Sequence, residues 1–173
     1  NLDQGDADDG NIQKYCYGDN PANCDIFGAL YQWHTAMALP QSCDTSNVGC
    51  IIGPMHQGIC PTGWHVPTDA EWHQLERAFA DPADDSNCDA NHDNGNCSPA
   101  AQALKSAALW NGQEGNNESG FGGLPSGYRD PSDNQFYCSG DDECDSGHFW
   151  TASVYNNAAA YQRNFYLEEQ EVH

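Results

Sequence analysis

The chain has 173 residues, 38% of them hydrophobic, and carries 26 aspartates and glutamates against 5 lysines and arginines, for a net charge of -21. That length suits one domain able to bury a core, while so much acid repels nucleic acid and anionic lipid and excludes roles at either. No run of about 18 apolar residues occurs, so no segment reads as a membrane span.

Residues 1–14, "NLDQGDADDGNIQK", are polar and read as an acidic arm or linker, leaving 15–173 as a single domain. With no leader pattern and no initiator Met, Asn1 reads as a processed start. The stretch "DIFGALYQWHTAMALP" sets Phe27, Leu30, Trp33 and Met37 at helical spacing, with His34 beside them and Pro40 as a stop, and predicts a helix. Residues 41–57 read as a loop.

Residues 58–72, "GICPTGWHVPTDAEW", crowd together a cysteine, two tryptophans and a helix start. Thr68 followed three residues later by Glu71 is a capping box, which predicts a helix carrying Trp72, Leu75 and Phe79 on one face. "GWHVP" before it reads as a strand, and His65 within it as a hydrogen-bonded or core histidine rather than a catalytic base. Residues 81–97 form an acidic loop. "SPAAQALKSAALW" then predicts a second helix, with Ser98 as N-cap and Pro99 at the first helical position. After Trp110 come short β-rich segments with turn punctuation, "NESGFGGLPSGYRD", "NQFYCSG", "GHFWTASVY" and "AYQRNFYLEEQEV", as expected of an antiparallel sheet. Helices first and strands last predict an α+β fold, two to three helices packed on a twisted antiparallel sheet.

Nine cysteines point to an oxidising compartment. Eight of them fall into close pairs, Cys16/Cys24, Cys43/Cys50, Cys88/Cys97 and Cys138/Cys144, each bracketing polar turn-forming residues. Closing so short a loop is worth about 2–3 kcal/mol in the chain-entropy account of disulfides. Zinc is the rival use of these cysteines, but no C-x-x-C occurs. Cys60 is left over, either buried and free or paired outside this chain.

The blocks "KYCYGDNPANCDIFGALYQWHTAM", "GICPTGWHVPTDAEWHQLE", "SGFGGLPSGYRD" and "FWTASVYNNAAAYQRNFYL" together resemble the Fibrobacter succinogenes major paralogous domain, over about residues 12–170. "GWHVPTDAEW" is also similar to the "RLPTEAEWE" segment of formylglycine-generating-enzyme-like domains, which belong to the C-type-lectin-like group of folds. The resemblance implies a loop-rich lectin-like domain on a bacterial surface, with the capped helix packed on the sheet. It also implies one more terminal strand, ending in a pattern like "SVRC". The chain stops at His173, before that pattern, so the resemblance leads one to expect either that Cys60 lost its partner to truncation or that a neighbouring chain supplies the strand.

No catalytic motif supports an enzyme: G-x-S-x-G and H-E-x-x-H are both absent, and Cys138 and Cys144 sit late in a Gly/Asp-rich loop as a staple would. Formylglycine-generating chemistry is therefore not expected. The acid is either solvated or balanced by cations. "DANHDNG" (Asp89, Asn91, Asp93) and "DDECDSG" (Asp141, Glu143, Asp145) both follow D-x-[NE]-x-D-x-G, alternate oxygen ligands that suit Ca²⁺. They depart from an EF-hand loop in the place of the glycine and in lacking its last glutamate, and Asp, Asn and Gly also favour turns for their own sake. The sugar-binding triplets of calcium-dependent lectins are absent. Asn156, Asn157, Tyr161, Gln162 and Arg163 stand where lectin-like folds present a ligand-facing loop and late strands, and their side chains suit a contact surface. Ordinary sheet positions are the other reading of Tyr161 and Phe165. Together these features predict a non-catalytic, extracellular surface module for adhesion or recognition, its partner a glycan, a surface polymer or a protein. The alternative is the globular head of a self-assembling, pilin-like filament subunit, against which stands the lack of a long apolar N-terminal helix.

Overall fold

In the computed structural model of the chain the described residues are 13–46, 49–84, 88, 97–138, 144–156 and 159–173. The fold is α+β. Its helices are α1 (Pro21–Phe27), α2 (Trp33–Ala36), α3 (Asp69–Arg77) and α4 (Ala100–Leu104). Its strands are β1 (Tyr128–Arg129), β2 (Phe136–Tyr137), β3 (Ser146–Asn156) and β4 (Ala159–Tyr166). All four local disulfides form: Cys16–Cys24, Cys43–Cys50, Cys88–Cys97 and Cys138–Cys144. No helix among the described residues is long and apolar enough to cross a membrane.

The single helix expected over 25–40 is two short ones. Asn20 starts α1 early, its side chain accepting from the Ala22 amide, and Pro21 sits at the first helical position. Gly28 ends α1 at φ 83°, a left-handed value that glycine takes without a steric penalty. Leu30 then exchanges two backbone hydrogen bonds with Tyr15, both 2.9 Å, so its amide is held in a bridge and the helical ladder is broken. The apolar spacing still does its work in and just after α2, where Trp33, Ala36 and the following Met37 are buried with Cys43, Val66 and Ala152.

The capping box of α3 is present. Thr68 Oγ1 accepts from the Glu71 amide at 3.3 Å, and Glu71 Oε2 accepts from the Thr68 amide at 2.8 Å. His65 completes it, its Nε2 lying 2.8 Å from Glu71 Oε1. "GWHVP" is not a strand. It is pinned by separate bonds, Val66 N–H to the His56 carbonyl and Ala152 N–H to the Pro67 carbonyl, and Pro67 itself has no amide to give a ladder. The second predicted helix is also shorter than its alanines suggest. Pro99, not Ser98, is the residue before the first turn, no side chain caps it, and α4 ends at Leu104, with Lys105 already extended.

Hydrogen bonds to the charged form hold the Glu71 carboxyl below its ordinary value, first the Thr68 amide, then His65 and the Thr68 hydroxyl, with burial acting the other way. A depressed carboxyl stabilises the fold above its unfolded pKa, and that contribution is lost as pH falls through the folded pKa. Glu71→Ala breaks the reciprocal half of the capping box and, with the carboxylate partly screened by solvent, is expected to lose about 0.5 kcal/mol at neutral pH. Thermal melts of the two proteins should converge in acid.

The expected single sheet is two hairpins, β1–β2 and β3–β4, both antiparallel, joined by a bridge between Gly127 and Gly147. The β3–β4 hairpin separates two cores. One face meets Trp72, Leu104, Trp110 and Val172 through Phe165 and Phe149. The other cluster takes Ala152 and Trp150. Two indoles stitch α2 and its approach to β3: Trp33 Nε1 donates to the Thr151 carbonyl at 3.0 Å, and Trp150 Nε1 to the Tyr31 carbonyl at 2.8 Å.

Candidate binding cleft

Because side chains alternate across a strand, β4 presents two different surfaces. Register pairs His148 with Asn164, Trp150 with Gln162 and Ser146 with Tyr166, which sets these side chains on one face of the hairpin. That face and the 27–33 segment line a cleft of about 1270 Å³. Trp150 packs against the second core and holds the Tyr31 carbonyl, so the facing wall is hung from the strand that forms the floor.

The aromatic lining is ordered by ring contacts. Tyr128 lies with its centroid 4.8 Å from the His148 ring and stacks on Tyr137 at 5.6 Å, and His148 meets Tyr166 edge-on at 6.2 Å. Burial pushes the His148 imidazole below its ordinary pKa, so at neutral pH it is an uncharged ring offering one donor and one acceptor. Burial likewise pushes the Tyr31 and Tyr166 hydroxyls up and keeps them protonated. The Arg129 guanidinium lies 4.0 Å above the Tyr15 ring at the same cleft. Asp44 reaches it too, but both carboxylate oxygens are engaged by His34, Oδ1 by the amide at 2.9 Å and Oδ2 by Nδ1 at 2.5 Å.

The structure divides the residues expected to bind ligand. Gln162 lines the cleft and is exposed. Asn156 is exposed at the end of β3, opposite Ala159. Tyr161 lies outside the cleft, edge-on to Tyr155 at 5.3 Å. Arg163 is no surface residue. Only 3% exposed, it has the parity of Phe165 and points at α3, donating from Nε to Glu76 at 2.8 Å and from Nη2 to Asp69 at 2.6 Å. Asn157 and the candidate calcium ligands Asp89, Asn91, Asp93, Asp141 and Glu143 lie outside the described residues. Asp145 is described: it precedes β3, and its carbonyl accepts from the Leu167 amide at 2.7 Å. Cys60 has no disulfide partner among the described residues and packs at the edge of the second core.

Tyr31, Tyr128, His148, Trp150, Asn164 and Tyr166 were not expected at the site. On β4 a signal existed: Gln162, Asn164 and Tyr166 alternate with Arg163 and Phe165, so one face had to be chosen over the other. Tyr31 comes from the loop before α2 and Tyr128 from the two-residue strand β1, and no local pattern reveals where either is placed.

No curated protein and no solved structure matches the chain. The family model described as the Fibrobacter succinogenes major domain matches residues 2–172, nearly every residue from the arm to the end of the second hairpin and beyond. The chain belongs to the Fibrobacter succinogenes major domain family.

Proposed function

We propose that the chain is a non-catalytic, extracellular surface module that acts in adhesion or recognition through the cleft beside the β3–β4 hairpin. The cleft carries this reading. It is large, aromatic-walled and furnished with a few convergent polar groups, as binding sites are. Four disulfides in so small a domain support an oxidising location outside the cell. The packing of a capped helix on an antiparallel hairpin supports, as part of the proposal, a lectin-like arrangement. Calcium at the two Asp-rich loops belongs to the proposal as well, supported by their alternating oxygen ligands.

The test is binding to immobilised glycans, surface polymers and peptides, read beside electron microscopy of the same protein. The expected result is dispersed particles and a ligand whose binding weakens on Gln162→Ala, a substitution at an exposed position. Ordered filaments, or binding indifferent to that substitution, would replace this reading with the filament-subunit one.

A further inference from the structure

This inference rests on the recognition reading and names its ligand: the geometry points to a stretch of uncharged polysaccharide, held in the cleft without a metal ion. Charge is the first reason. The chain carries 26 acidic residues, yet among the described residues the lining holds one carboxylate, Asp44, and one guanidinium, Arg129. Asp44 is engaged by His34, and Arg129 lies over Tyr15. An anionic polymer meets the repulsion of a -21 chain without a compensating basic patch, and a cationic one is drawn to the acidic surface rather than here.

The second reason is the kind of polar group present. Gln162, Asn164 and His148 share one face of the hairpin with Trp150 and Tyr166. The exposed Gln162 amide offers an acceptor and two donors, while His148, hydrogen-bonded to Asn164 and Ser146, adds an uncharged polar floor beside it. Sugar hydroxyls also donate and accept, and a pyranose ring presents an apolar C–H face beside its hydroxyl rim. Flat aromatic rings next to planar amides match both features at once.

Length is the third reason. A second cavity of about 610 Å³ shares Gln32, Asp44, Thr45 and Pro131 with the cleft and adds Gln41, Ser42 and Asn134. The lining thus continues in amides and hydroxyls. The cleft, which runs inward to Trp72, Phe121 and Phe149, is at least as roomy as the roughly 300–1,000 Å³ of a site for one small molecule, so it has space for more than one sugar unit. With a single engaged carboxylate in the lining, nothing in the cleft asks for calcium.

The test is isothermal titration calorimetry of the intact protein with hexasaccharides of glucose, mannose and xylose, with hexagalacturonate, and with a proline-rich peptide. At least one neutral hexasaccharide should bind, equally well with and without chelator, and hexagalacturonate should not. Tyr128→Ala and Gln162→Ala should each weaken that binding by about tenfold, the loss of one stacked ring or one well-made hydrogen bond. Trp64→Ala and Tyr155→Ala remove exposed aromatics outside the cleft and should change nothing. Absence of binding to all three neutral oligomers overturns the inference, as does binding lost on chelation or on Trp64→Ala. If the peptide or hexagalacturonate binds instead and Gln162→Ala abolishes it, the sugar assignment fails while the recognition reading stands. If no probe of any class is sensitive to Gln162→Ala, both fail.

Discussion

Arg163→Met is expected to destabilise the fold by about 3–5 kcal/mol, the usual consequence of removing one partner of a buried ion pair. Arg163 is 3% exposed and Glu76 is fully buried, so the substitution leaves a carboxylate in the interior with its cation gone. Burial already pushes the Glu76 carboxyl up, and Arg163 is the largest influence holding it down. In the variant the raised pKa means that Glu76 binds a proton in the folded state before it does so unfolded. Its penalty is then absent at low pH and appears as pH rises through the folded value. The deficit measured by urea denaturation should accordingly shrink in acid. Asp69, partly exposed at the pair's edge, tolerates the loss by turning to water. Arg163→Met combined with Glu76→Leu should recover much of the stability, because no uncompensated charge remains inside. A single variant that unfolds like the parent protein would show that the guanidinium is not buried against α3.

Lys105→Met should cost about 3 kcal/mol, less than the loss of Arg163 but more than any cap. Lys105 is 3% exposed and gathers the turn after β4, donating to the carbonyls of Leu167 at 3.1 Å and Glu169 at 2.8 Å, and also to that of Tyr166. A methionine of similar length fills the space but leaves those acceptors with a lost partner, at about 1–3 kcal/mol for each one that stays dry. Burial drives the Lys105 ammonium down to about 8, against an ordinary 10.5. A base with a depressed folded pKa releases its proton on folding in the interval between the two values. The unfolded chain then binds more protons, and stability rises with pH there. Relative to Lys105→Met, the parent protein should gain stability from about pH 8 to pH 10.5. A flat difference across that range would mean that the ammonium is well solvated.

What the sequence made legible was local. The disulfides join near neighbours across turn-rich loops, and the α3 cap needs only Thr68 and Glu71 three residues apart. The α+β class followed from segment order, and the family from blocks spread along the chain. The 25–40 helix misled because apolar spacing reports which side chains are buried, not whether the amides between them stay in one ladder. Gly28 and the Tyr15–Leu30 bridge decided that. On β4 the expected contact residues ran straight through the strand, whereas alternation sends Gln162 to the cleft and Arg163 to the opposite face, where its partners lie on a helix some ninety residues earlier. The cleft joins Tyr31, Tyr128 and Gln162, and nothing in the chain's linear order brings those three together.

Each disulfide joins cysteines only six to nine residues apart. A force drawing the two ends of the domain apart therefore meets no covalent clamp between remote segments among the described residues. Once the hairpin ladder shears and α3 detaches, the backbone straightens by about 3.3–3.6 Å per residue over nearly its full contour. Only the four small loops are withheld. The bridges guard those loops against unravelling, while the load falls on the β3–β4 hydrogen bonds, the two indole bonds and the Arg163 ion pair. Such a domain is chemically stapled yet mechanically extensible, and lengthens under tension without breaking a covalent bond.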